Sequence, residues 1–120
     1  MQEAPNTITV GSRTYTVEVA DTQAEREKGL SERDTLGEFK GMLFDFKQEG
    51  DWQIWMVKMR FPIDIAWLGK DGKVLTVREN VSPDTFPNVF RSEQPSWYVL
   101  ELNAGALQKA GVKPGDTIKL

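Results

Sequence analysis

Residues 52–68 read WQIWMVKMRFPIDIAWL, from Trp52 to Leu68, and they hold three of the chain's four tryptophans and two of its four methionines. The second half, Ile63 to Leu68, is apolar at every position except Asp64. That is the pattern of a strand covered on both faces, where alternation is lost because neither side meets water. Pro62 has no N–H to give to a ladder, so it marks a break or the first residue of that strand. A preceding strand is expected over roughly Gln53 to Met59.

Outward from this centre, the chain alternates and turns. Thr7 to Val19, TITVGSRTYTVEV, reads as a hairpin about Gly11-Ser12, with Ile8, Val10, Tyr15, Val17 and Val19 inward. Asp21 or Thr22 can cap a helix over QAEREKGL, with Glu25 completing the cap and Gly29 ending it. SERDTLG reads as a second capped turn stopped at Gly37. Gly41 to Phe46 is an apolar strand with Met42, Phe44 and Phe46 on one face, and KQEGD is its loop. Beyond the centre, Lys70-Asp71-Gly72-Lys73 is a hairpin turn leading into an alternating strand, Val74 to Val81. Residues 82–96 contain three prolines and no periodicity, and read as a long loop carrying Phe86 and Phe90. Trp97 to Leu102 is a further strand, Asn103 caps a short helix AGALQKA closed by Gly111, and GVKPGDTIKL supplies a turn and a last strand.

Seven or eight short strands against two or three short helices make the expected class α+β. The expectation is a β-rich single domain over residues 7–120. Its mostly antiparallel sheet would curl into a partial or closed barrel, preceded by a flexible leader over residues 1–6. At 120 residues the chain is long enough to bury a sizeable core.

Composition excludes much. There is no cysteine and no histidine, which removes disulfides, thiolate nucleophiles, histidine bases and His- or Cys-ligated metals. A formal net charge of −3 with interspersed signs argues against nucleic acid as a partner, since phosphate binding needs a concentrated basic surface. No apolar run reaches the roughly 18 residues of a membrane span. No phosphate-binding glycine loop or Ser-x-x-Lys pair is present, and no cofactor is expected.

Four phrases in this order identify a resemblance: EREKGLSERDTL from Glu25, GMLFDF from Gly41, IWM followed by FPIDIAWL from Ile54 to Leu68, and YVLELNAG from Tyr98. Together they resemble the DUF192 family of small bacterial and archaeal proteins, over about Thr16 to Leu120. The resemblance implies a compact β-rich domain with short helices and brings no established activity. Many relatives look exported or lipid-anchored, which favours an extracytoplasmic location with residues 1–6 as the remnant of a removed segment; a cytoplasmic one stays open. One departure stands out. Relatives usually read Trp-Met-Lys-Asn before the proline, whereas this chain reads Trp55-Met56-Val57-Lys58, and strand alternation would turn Lys58 to the opposite face.

The candidate site residues are Arg26, Arg33, Trp52, Trp55, Lys58, Asp64 and Glu101. Asp64 and Glu101 are lone carboxylates in apolar strands, where an ionised group needs a partner. They read either as structural acids, met by Arg26, Arg33 or backbone amides, or as a catalytic pair with displaced pKa values. Arg26 and Arg33 read as an anion clamp or as braces for the acids. Trp55 and Trp67 read as core, and Trp52, Phe86 and Phe90 as partly exposed, suited to a sugar ring or a peptide. The favoured function is a non-enzymatic binding or accessory module, expected to act as a monomer. It would take a small polar ligand, glycan or peptide in an aromatic groove with arginines and carboxylates. The alternatives are a carboxylate-based hydrolase of glycan-like substrates using Asp64 and Glu101, and a protein-interaction module working through Phe86 and Phe90.

Overall fold

Alternation in the N-terminal segment produces a hairpin in which β1 (Asn6–Val10) and β2 (Arg13–Ala20) pair antiparallel. Between them Gly11 has φ 59°, a left-handed conformation that favours glycine. These elements are taken from a computed structural model that describes residues 6–120. The expected leader lies outside the described residues apart from Asn6, which opens β1.

Thr22 caps α1 (Gln23–Lys28): its hydroxyl accepts from the Glu25 amide while the Glu25 carboxylate reaches back to the Thr22 amide. The chain then crosses over and returns as β3 (Lys40–Gly50), which lies parallel to β2. The sheet is therefore mixed, and the SERDTLG segment is a run of turns with no helix in it. β3 also absorbs KQEG, expected as a loop, with Lys47 in the left-handed region at φ 61°.

The segment before Pro62 departs most from expectation. Only Ile54–Trp55 forms a strand, β4, and the following residues close a turn in which the Met59 amide donates to the Met56 carbonyl. Stacking explains the departure: Trp52 lies on Phe46 with ring centroids 4.2 Å apart and planes 6° from parallel. The chain leaves the ladder to bury that ring and the Met56 side chain. β5 (Ile63–Leu68) is buried at all six positions, as its composition requires. β6 (Val74–Val81) follows the turn at Gly72. Residues 82–96 contain a 3-10 turn and a two-residue strand, β7 (Val89–Phe90), which pairs with β4. β8 (Ser96–Asn103) and α2 (Ala106–Ala110) follow. Gly105, not Asn103, occupies the N-cap of α2, and the Asn103 side-chain Nδ2 donates to the carbonyls of Leu36 and Gly37.

The six-stranded sheet has the order β1-β2-β3-β8-β5-β6. One face carries Ile8, Tyr15, Ala66, Leu100 and Leu102, with Leu107 of α2 packed against it. The other carries Leu30, Phe44, Met56, Ile65, Trp67 and Val99. The sheet is not closed into a barrel: among the described residues β1 and β6 remain its edges, with no ladder joining them. Instead the C-terminal residues reach β1 through a Thr9–Lys119 bridge and the start of β6 through a Lys73–Thr117 bridge. A Cβ on Gly11 would lie 2.1 Å from the Ala110 carbonyl oxygen, whereas one on Gly115 would meet nothing within 4 Å. Gly11→Ala should therefore cost about 3 kcal/mol or more, from strain plus backbone collision. Gly115→Ala should cost only the backbone strain, about 1–2 kcal/mol. Urea unfolding of the two variants checks the difference, and equal losses would contradict this packing.

Candidate functional site

Strand register decides the fate of the two buried acids. Asp64 stands opposite Leu102 and Ile65 opposite Glu101 in the β5–β8 ladder. Directly opposed residues share a face and neighbours alternate, so Asp64 and Glu101 point to opposite sides of the sheet. They do not form the carboxylate pair expected of a hydrolase.

Asp64 is met by backbone. Its Oδ1 accepts from the Asn80 amide at 2.9 Å and its Oδ2 from the Leu107 amide at 3.0 Å. The first bond holds a bulge in β6, where Asn80 has φ 54° and the register against β5 shifts. The second caps α2, whose own N-cap, Gly105, has no side chain to offer. Of the readings open to Asp64, bonding to backbone amides is the one realised, and neither Arg26 nor Arg33 reaches it.

Glu101 faces the other layer and is 4% exposed. Among the described residues nothing hydrogen-bonds to its carboxyl, and burial pushes its pKa up from the usual carboxylate range to about 8. The carboxyl lines a cavity of about 400 Å³, within the range of small-molecule sites. Alternation in β3 brings Phe44 and Phe46 to the wall, and Trp52 extends them into a stack, with centroid separations of 6.5 and 4.2 Å. Ile54, Met56, Met59 and Ile63 complete the apolar lining, and α1 forms a lip with Arg26, Glu27 and Lys28. The Arg26 guanidinium sits 5.3 Å from the Phe46 ring centre and donates to the Asp45 carbonyl at 3.0 Å.

Arg26, Trp52, Trp55 and Glu101 therefore meet at one cavity, and Arg33, Lys58 and Asp64 do not. Arg33 forms a two-pronged ion pair with Glu18 and holds that carboxyl below its ordinary pKa. Lys58 is exposed in the turn after β4, with φ 56°, and its carbonyl accepts from the Glu32 amide. The neighbouring Val57 lines the cavity instead. Trp55, expected as core, is 49% exposed and lies 5.2 Å from the Phe86 ring. Sequence reasoning did not single out Met56 and Met59 as lining residues. Phe44 and Phe46 carried a signal in the alternation of GMLFDF. No cluster of three or more acidic side chains that could cage a hard cation occurs among the described residues.

The DUF192 family profile, described as "Uncharacterized ACR", matches residues 6–120. The chain belongs to the DUF192 family. A Sinorhizobium meliloti 1021 protein, provisionally assigned as a transcription regulator, has a crystal structure similar to this fold. Its TM-score is 0.87 at 32% identity, over 99% of this chain and 97% of that one. A Novosphingobium aromaticivorans DSM 12444 protein of unknown function gives a TM-score of 0.87 at 33% identity, over 97% of this chain and 84% of that one. No curated protein matches. The four phrases that carry the DUF192 resemblance each contribute to the cavity, through Arg26, through Phe44, through Ile54 with Ile63, and through Glu101.

Because Glu101 is neutral when folded and ionises near pH 4.5 when unfolded, the folded state binds the extra proton between those limits. Its contribution to stability is therefore complete below about pH 4.5, declines as pH rises, and levels off above about pH 8. Glu101→Gln should remove that decline and raise stability at pH 8 by a few kcal/mol at most. Urea midpoints of both proteins between pH 5 and 8 check this, and parallel curves would contradict the burial of a lone acid.

Proposed function

We propose that the protein is a non-enzymatic binding module whose ligand occupies the cavity between α1, β3, β4 and β8. The observation that carries this reading is Glu101, a buried acid aimed into an aromatic cavity with no protein partner among the described residues. Because Glu101 lines the cavity and no described residue bonds its carboxyl, a ligand seated there can supply that bond. Catalysis is the weaker reading. The cavity offers one buried acid, Glu101, with Glu27 exposed at the lip and Asp64 across the sheet, and the chain has no histidine or cysteine to activate a nucleophile.

The regulator assignment of the Sinorhizobium protein is not carried to this chain. Eighteen acidic against fifteen basic side chains give no surplus of positive charge for a phosphate backbone. A second reading, protein or peptide binding, is favoured by apolar surface beside the cavity. Trp55, Phe86 and Val89 are 49%, 44% and 48% exposed, and Trp55 also lines the cavity. A ligand longer than the cavity would cross Phe86.

A fragment library titrated into 15N-labelled protein should shift the amides of Phe44, Phe46, Ile54 and Met56 together. Trp52→Ala should weaken the resulting affinities about 3–10-fold through loss of the stacked wall. Phe86→Ser should leave small fragments unaffected and weaken only ligands that extend past Trp55. A library that moves none of these resonances would overturn the reading.

A further inference from the structure

Resting on the cavity as a ligand site, we propose that its ligand is an organic cation. The ligand would be an apolar or aromatic body bearing one protonated amine, seated against Phe44, Phe46 and Trp52 with its ammonium at Glu101. Of the polar side chains that line the cavity, only Ser31 and Glu101 are buried. The Ser31 hydroxyl donates to the Lys28 carbonyl, and Gln23, Glu27, Lys28, Gln48 and Gln53 are exposed. That leaves Glu101, among the described residues, as the buried polar group without a bond against walls of aromatic, aliphatic and thioether groups. One polar group suits a ligand with one polar group. A sugar would bury several hydroxyls against Phe44, Met56 and Ile63, where no donor or acceptor awaits them.

The sign of that group is also set. Aromatic faces present negative charge density, the arrangement by which proteins hold ammonium groups, and a carboxylate presents the same sign. A ligand anion reaching Glu101 would face repulsion. Apart from Glu101, the charged groups that line the cavity are all on α1: Arg26, Glu27 and Lys28. Arg26 is held at the lip by Asp45 and Phe46, and Lys28 pairs with Glu32 at 3.5 Å in solvent. β3, β5 and the Met56–Met59 turn bring no charged side chain to the cavity.

Docking of an ammonium makes the carboxylate the favoured form, so the Glu101 proton leaves to solvent as the ion pair forms. The ligand keeps its own proton, and one proton is released per amine bound. Affinity should rise about tenfold per pH unit until Glu101 ionises in the free protein, and then level off.

The test uses three amines, tryptamine, phenethylamine and hexylamine, each with its matched alcohol and carboxylate, by calorimetry at about pH 6 in two buffers of different ionisation enthalpy. The expected result is that amines bind at least about tenfold tighter than alcohols, carboxylates do not bind, and one proton is released. Glu101→Gln should lower amine affinity at least about tenfold and abolish the proton release. Proton release is read on the unaltered protein, so the test does not depend on the variant folding. Alcohols or carboxylates binding as tightly as amines, or amines binding without proton release, would overturn the cationic ligand while leaving the cavity as a site. If no compound binds and the fragment library also moves nothing, the cavity reading falls with it.

Discussion

β5 and β8, neighbours in the sheet, have apolar layers on both faces, so a polar side chain on either must find a bond or give up its charge. The rest of the architecture follows from how that requirement is met. On one face Asp64 stays bonded by drawing in two backbone amides from different elements, and so fixes where β6 bulges and where α2 begins. On the other face Glu101 has no such amides, and burial favours its neutral form. Two acids one register step apart are thus put to different uses by a single rule, the alternation of the strand.

Local signals carried the elements whose stability is local. The capping box at Thr22 and Glu25, the Asp71-Gly72 turn, and the loss of alternation in Ile63–Leu68 are each written in adjacent residues, and each appears where the residues place it. The mixed sheet was not legible, because nothing in β2 or β3 alone distinguishes a parallel neighbour from an antiparallel one. The β4–β7 pair was hidden for a similar reason: two residues of strand in each partner leave no periodicity to read. Trp55 looked like core because it sits among apolar residues, yet the short strand it belongs to lies outside the six-stranded sheet and leaves it half in water.

The candidate site divides along the same line. Arg26, Trp52, Trp55 and Glu101 converge since α1, β3, β4 and β8 surround one cavity. Arg33 was grouped with Arg26 as an anion clamp or as a brace for the acids. Gly29 ends α1 before Arg33, which turns to Glu18 instead. Membership of the DUF192 family and the two similar crystal structures fix the fold. The chemistry of the cavity must be argued from its lining, and there the lone acid and the aromatic stack are the informative features.

The strand order has a consequence for synthesis. β8, made near the end of the chain, is inserted between β3 and β5. Until it emerges, the six-stranded sheet can exist only as two separate pieces, β1-β2-β3 and β5-β6, each with an unpaired edge exposed to other chains. Glu101 lies on that late strand, and so do the contacts that join the pieces. A nascent or truncated chain ending before Ser96 would therefore have neither the cavity nor a continuous sheet. Assembly has to wait for long-range pairing, the slow kind. The strand that completes the scaffold also delivers Glu101, so every chain with a finished sheet has that acid in place.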